Sequence, residues 1–160
     1  MVEDVVKSLG FLCLGTRMKR LGERLQADTQ AVIEAMELPI GAGQCPMLAA
    51  IERLGPLTVG DLAEALGITQ PAVTRSVNQL VDLGYLEVKP AEDDQRRRIV
   101  DLTESGRALV EHAQAAIWPR IEDAVRDLCS GLSGPLLEQL AAIEDGLATR
   151  SLKQRNDDRI

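Results

Sequence analysis

Residues 58–83 constrain the chain more than any other stretch. Thr58 and Asp61 form a capping box, in which the hydroxyl accepts from the Asp61 amide and the carboxylate reaches back to the Thr58 amide. A short helix over about 59–66 follows. Gly67 suits the left-handed residue that closes it, Ile68 is expected to anchor the turn in the core, and Thr69 to cap the next helix. Two helices joined by so short a turn must cross steeply. The second, about 70–83, gathers Val73, Val77, Leu80 and Val81 on one face and Gln70, Thr74, Arg75, Asn78 and Gln79 on the other, with no acid before Asp82.

After Gly84 the pattern changes from helical to alternating. Tyr85-Leu86-Glu87-Val88 and Ile99-Val100-Asp101-Leu102 read as antiparallel strands joined by a charged loop over 89–98. Upstream, a helix over about 44–54 stops at Gly55-Pro56. Helix, helix, short turn, helix and hairpin make a winged helix-turn-helix over 44–103, with a recognition helix at about 70–83 and a wing at about 85–102. The fold class is mainly α with a small β-hairpin wing.

Helices flank this unit. Residues 1–36 carry Val5, Leu9, Leu12, Leu14, Met18, Leu21, Leu25, Val32 and Met36 at helical spacing and read as one long helix, ended by Pro39, Gly41 and Gly43. Thr103 opens another helix running to about Cys129, with a bend at Pro119. A last helix carries Leu136, Leu137, Leu140, Ile143 and Leu147 before a polar tail at 151–160.

With 160 residues, 45% of them apolar and 27% charged, the chain supports one folded core and is neither disordered nor low in complexity. No uncharged apolar run approaches the roughly 20 residues of a bilayer span, and Glu3 and Asp4 stand where a secretory leader would be basic. A cytoplasmic protein without a membrane partner is expected. Cys13, Cys45 and Cys129 are too scattered for a disulfide framework, and with His112 alone they make a poor metal-ligand set. No metal or cofactor is implied. The chain also lacks a phosphate loop, an HExxH pair and a serine elbow, so an enzyme is not expected.

Phe11, Tyr85 and Trp118 are the only aromatic residues, too few for the stacking platforms that hold single-stranded nucleic acid. Duplex DNA is compatible, because its major groove admits a helix. The net charge of −7 opposes indiscriminate binding, and residues 68–100 balance five basic groups (Arg75, Lys89, Arg96, Arg97, Arg98) against five acidic ones (Asp82, Glu87, Glu92, Asp93, Asp94). Selectivity is favoured over avidity. Arg75 suits the guanine O6 and N7 acceptors, and Gln70 can pair with adenine. Thr69 and Thr74 can donate to phosphates or bases, Pro71 can touch a thymine methyl, and Asn78 and Gln79 complete the polar face. In the wing, Arg96 is the candidate for the narrow minor groove, with Asp94 steering a guanidinium by a salt bridge. Arg97 and Arg98 alternate faces, so at least one serves phosphates or packing.

The stretch Leu57-Thr-Val-Gly-Asp-Leu-Ala-Glu-Ala-Leu-Gly-Ile-Thr-Gln-Pro-Ala-Val-Thr-Arg-Ser-Val-Asn-Gln-Leu80, then Gly84-Tyr85-Leu86 and Asp94-Gln-Arg-Arg-Arg-Ile-Val-Asp-Leu-Thr-Glu-Ser-Gly106, resembles the multiple-antibiotic-resistance regulator (MarR) family. The resemblance implies a homodimer whose first and last helices (1–36 and 104–150) intertwine, each subunit presenting one recognition helix and one wing. It carries Thr69, Pro71, Thr74 and Arg75 onto recognition-helix contacts, Arg96 onto the minor-groove arginine of the wing, and Asp94 onto its salt-bridge partner. A two-fold dimer also has a physical motive, since it buries the apolar stripes of the terminal helices and sets two recognition helices about one DNA turn apart, matching a pseudo-palindromic operator.

By the same resemblance the chain is a transcriptional regulator, a repressor released by a small aromatic or phenolic ligand. One alternative is a thiol-based redox regulator using Cys13, although Tyr85 is the only tyrosine and lies in the wing rather than near that thiol. Another is the DNA-binding portion of a larger acetyltransferase-type enzyme, for which these 160 residues hold no catalytic domain.

Overall fold

The computed structural model describes residues 2–91, 94, 96–152 and 154. They form two compact units, Met1–Ile121 and Glu122–Ile160.

The first unit does not open on a single helix. Helix α1 (Val5–Ser8) is followed by a 3-10 turn (Gly10–Cys13) and then by α2 (Leu14–Ala35). The expected helix over 1–36 is broken because Gly10 takes a left-handed φ of +56°, a conformation glycine adopts without steric cost. Asp4 caps α1 through the Lys7 amide and grips Arg20 of α2, with Arg20 Nη1 and Nη2 donating to Oδ1 and Oδ2 at 3.0 and 2.7 Å. The Arg20 guanidinium holds the Asp4 carboxyl below the usual carboxylate range.

Two backbone bonds close α2, from Glu37 N to Glu34 O at 3.0 Å and from Leu38 N to Ile33 O at 3.2 Å, with Glu37 at φ +57°. Leu38 and Ile40 then turn into the core. Helix α3 (Cys45–Leu54) tolerates Pro46 in its first turn and ends at Gly55. Strand β1 (Leu57–Thr58), which two residues cannot announce by alternation, leads into α4 (Val59–Leu66). The capping box is made as expected, with Asp61 N to Thr58 Oγ1 at 3.1 Å and Thr58 N to Asp61 Oδ2 at 3.1 Å.

Gly67 adopts the left-handed φ of +63°. Ile68, expected in the core, is instead 44% exposed. The turn holds without it, because the Ile68 amide donates to Ala63 O at 3.1 Å and the Gly67 amide to Glu64 O at 3.2 Å. In α5 (Gln70–Asp82), Val73, Val77 and Leu80 are buried, whereas Val81 reaches the surface.

Strands β2 (Leu86–Pro90) and β3 (Arg98–Leu102) form the hairpin, paired from Leu86 opposite Leu102 to Pro90 opposite Arg98. Each strand runs further towards the tip than expected, β2 to Pro90 and β3 from Arg98. β1 pairs antiparallel with β3, giving the sheet order β1-β3-β2. Glu92, Asp93 and Gln95 of the expected charged loop lie outside the described residues, as do Lys153 and 155–160 of the expected tail.

The helix expected over 103–129 is divided into α6 (Glu104–His112), a π-helical turn (Ala113–Ile117) and α7 (Trp118–Cys129). Pro119 accounts for the irregularity. It has no amide to donate to Ala115 and its ring crowds that carbonyl, so the helix shifts register in the preceding turn rather than simply bending at the proline. Val110, Ala113 and Ile117 close the core over Ile33, Leu48, Leu62, Leu80 and Val100. In the second unit, α8 (Leu136–Thr149) leaves Leu137, Ile143 and Leu147 exposed. No helix among the described residues is long and apolar enough to cross a membrane.

Candidate nucleic-acid interface

The buried stripe of α5 determines what its other face offers. With Val73, Val77 and Leu80 at 3% exposure or less, the 3.6-residue repeat sends Gln70, Thr74, Arg75, Asn78 and Gln79 outward, and all five are exposed. Among the described residues the Arg75 guanidinium has no hydrogen-bond or ion-pair partner. Thr69 occupies the N-cap position in extended conformation, but its hydroxyl makes no capping bond, contrary to expectation. Pro71 supplies no amide, so the amides of Gln70 and Ala72 and the Thr69 hydroxyl remain as donors at the positive end of the helix dipole.

Two glutamines of this face are not equivalent to their neighbours. The Gln70 side chain leans towards α4, where a Cβ on Gly60 would sit 3.6 Å from its Nε2. Gln79 accepts at Oε1 from Gln44 Nε2 at 3.2 Å, a bond between residues 35 apart in sequence that no local pattern announces.

In the wing, Asp94 works differently from the expected guanidinium steering. Its Oδ1 accepts from the backbone amide of Arg96 at 2.9 Å, and its carbonyl accepts from the Arg97 amide at 2.9 Å. Among the described residues no ion pair joins Asp94 to the Arg96 side chain. The carboxylate therefore shapes the tip, in the manner of an Asx turn, and leaves the exposed Arg96 guanidinium unengaged by the described residues. Ala91 N donates to Arg97 O at 2.8 Å and closes the hairpin.

The Arg97 charge acts on Asp61. The Asp61 carboxyl lies below its usual range chiefly through the Thr58 hydroxyl, which donates at 2.7 Å, then through the Thr58 amide, with Arg97 adding attraction. Arg98 is exposed at the start of β3. Lys89 pairs with Glu87 on its own strand. At the base of the wing, Asp101 accepts from Arg107 Nη2 at 3.1 Å and from the Leu102 amide at 2.7 Å, fixing β3 to α6.

Cys13 is partly exposed at the start of α2, and Cys45 and Cys129 are also free thiols. Burial pushes the Cys45 thiol up, with the neighbouring Trp118 side chain working the other way. The described residues hold no cluster of His, Cys, Asp and Glu suited to a metal.

Helices α3, α4 and α5 with a three-stranded antiparallel sheet define a winged helix-turn-helix protein. Residues 38–97 match the sequence model of the MarR family. An HTH-type transcriptional regulator of Mycobacterium tuberculosis is 32% identical over 78 residues, covering 49% of this chain and 54% of that protein, so the chain spans about half the length of the curated relatives it matches. Among solved structures, a mutant MarR of E. coli complexed with operator DNA superimposes with a TM-score of 0.69 at 22% identity, over 92% of this chain and 98% of that one. BpsR of Bordetella bronchiseptica, whose DNA binding is regulated by 6-hydroxynicotinic acid, superimposes with a TM-score of 0.69 at 25% identity, over 84% and 92%. Over residues 38–97 the chain is therefore similar to the MarR family, the resemblance that residues 57–106 carry.

Proposed function

We propose that this chain is a sequence-specific transcriptional regulator that binds duplex DNA in the cytoplasm as a homodimer at a pseudo-palindromic operator. It acts as a repressor and is released by a small aromatic or phenolic ligand. The observation that carries the reading is the pair of cations left over by the fold, Arg75 on the outer face of α5 and Arg96 at the wing tip. Neither is neutralised by a described residue, and both are exposed. Arg75 is suited to guanine in the major groove and Arg96 to the electronegative minor groove. Thr69, Pro71 and Thr74 supply contacts at the start of α5, Asn78 and Gln79 extend them, and Arg97 and Arg98 add attraction for the phosphates.

Dimerisation is supported by apolar side chains that each unit leaves uncovered. Phe11 is 93% and Leu12 82% exposed in the first unit, and Leu128 is 65% and Leu137 80% exposed in the second. Side chains of this size gain about 1.5–3 kcal/mol each when fully buried, so a second copy has much to cover. The ligand class is supported by BpsR, whose DNA binding is regulated by 6-hydroxynicotinic acid, a hydroxylated aromatic acid.

The test is footprinting of the DNA upstream of the chain's own gene, repeated with phenolic compounds and with peroxide, beside sedimentation of the free protein. A protected site of two-fold symmetry that a phenolic compound releases is the expected result. A monomer in solution, or protection with no sequence preference, overturns the reading. Release by peroxide that is lost in Cys13→Ser replaces the aromatic ligand with the thiol mechanism.

A further inference from the structure

A chain of side-chain amides runs from α2 to α5. Gln30 Nε2 donates to Glu34 Oε1 at 2.9 Å, and Gln30 Oε1 accepts from the Ala42 amide at 2.7 Å. Next to it the Gly41 amide donates to Gln44 Oε1 at 2.8 Å, and Gln44 Nε2 donates to Gln79 Oε1 at 3.2 Å.

The direction of this chain is set by backbone groups, whose polarity is unambiguous. A backbone amide can only donate, so the Gly41 amide requires the carbonyl end of Gln44, and the NH2 of Gln44 must then point to Gln79. Gln79 must answer with its own carbonyl. Its NH2 is the end left for a further partner, on a residue that is exposed.

We propose that Gln44 is a positioning residue for DNA recognition, because it fixes Gln79 as a donor. A free glutamine reads adenine by offering both ends of its amide, the carbonyl to N6 and the NH2 to N7. With Oε1 turned towards Gln44, Gln79 is matched to an acceptor, either a phosphate oxygen or a base acceptor such as guanine O6 or thymine O4. The inference rests on the DNA-binding reading above, and it adds that the segment 41–44, between α2 and α3, selects what the far half of α5 recognises.

Gln44→Glu tests it with little change of shape. The carboxylate still accepts from Gly41, but its other oxygen requires a donor from Gln79, which turns the Gln79 carbonyl outward. Operator binding is measured for the wild type, Gln44→Glu, Gln79→Ala and the double variant, each checked for folding by circular dichroism. The expected result is about a three- to tenfold loss for Gln44→Glu, the range of one hydrogen bond, shrinking to less than about twofold in the Gln79→Ala background. An equal loss in both backgrounds assigns the effect to the added charge, and no loss leaves Gln79 unguided; either overturns the proposal.

Operator variants separate the two acceptors. Gln79→Ala weakens all of them alike for a phosphate contact, and only those retaining one base pair for a base contact. A readout without DNA keeps the amide chain apart from the function. The Gln44 side-chain NH2 resonances of the free protein shift on Gln79→Ala if the bond exists, and their failure to move overturns the proposal even if operator binding is intact. A protein that shows the shift but binds no DNA places the failure in the DNA-binding reading.

Discussion

The hydroxyl of Thr103 donates to the carbonyl of Gly84 at 2.6 Å, tying the end of the wing back to the exit of α5. The same oxygen accepts from the Gly106 amide at 3.0 Å and caps α6, while the Thr103 amide donates to Tyr85 O at 3.1 Å. One residue thus joins the exit of α5, the wing and α6.

Gly106 is what lets α6 come this close. A Cβ there would lie 2.0 Å from Tyr85 O, a backbone atom that cannot move without disturbing the Thr103 contact. Gly106→Ala is therefore expected to destabilise the protein by about 2 kcal/mol or more, despite the better helix propensity of alanine. Urea unfolding measures it, and a neutral or stabilising result would show that the helix and wing separate easily.

The closing residue of α2 predicts the opposite sign. Glu37 holds φ +57° at a position where glycine has no steric cost. Left-handed backbone costs other residues about 1–2 kcal/mol, and glycine gives back roughly 0.5–1 kcal/mol in unfolded-state entropy. Glu37→Gly should raise stability by about 0.5–1 kcal/mol, read as a higher denaturant midpoint at unchanged m.

Cys45 gives a pH dependence. Its thiol is raised above the ordinary value, chiefly by burial, so the folded state favours the protonated form. A raised folded value contributes stability that is fully present below the unfolded thiol value, near 8.5, and is lost as pH rises through the folded one. Thermal scans should show a decline above about pH 9 that is smaller in Cys45→Ala than in the parent. At neutral pH, alkylation of Cys45 should lag that of a free thiol of the same concentration, and mass spectrometry of the digested protein checks this.

The elements legible in the sequence are those with a local cause. Thr58, Asp61 and Gly67 specify the bounds of α4 by capping chemistry that acts over three residues, and the hairpin follows from alternation on both sides of the loop. What was hidden depends on partners distant in sequence or on a residue in an unusual role. Strand β1 exists because Leu57 and Thr58 meet Val100 and Ile99. The end of α2 is closed by Glu37 where a glycine is usual, and Gly10 breaks a helix whose apolar spacing continues across it. At the candidate interface, the exposed face of α5 could be read from Val73, Val77 and Leu80. The engagement of Gln79 could not, since Gln44 lies 35 residues away, in the turn before α3. Asp94 lies in the wing tip, where a two-residue separation favours its bond to the Arg96 amide over the longer reach to a guanidinium.

That difference at Asp94 sets Arg96 apart from Arg97. Arg96 sits on a turn already ordered by Asp94, so it presents a cation without a competing partner among the described residues, whereas the Arg97 charge is shared with Asp61. A cation already attracted by a carboxylate gains less from DNA. Arg96→Ala should weaken operator binding more than Arg97→Ala, with the largest loss at sites of narrow minor groove, and should lower the salt dependence by about one counterion per subunit. Arg75→Ala should cost about 1–3 kcal/mol and relax preference at a single base pair in each half-site. Fluorescence anisotropy across a salt series, with A-tract and G·C-flanked operators, distinguishes the two effects. Asp94→Ala should weaken binding through the loosened tip even though the carboxylate itself would repel phosphate. Tighter binding in that variant would mean that its charge outweighs its bond to the Arg96 amide.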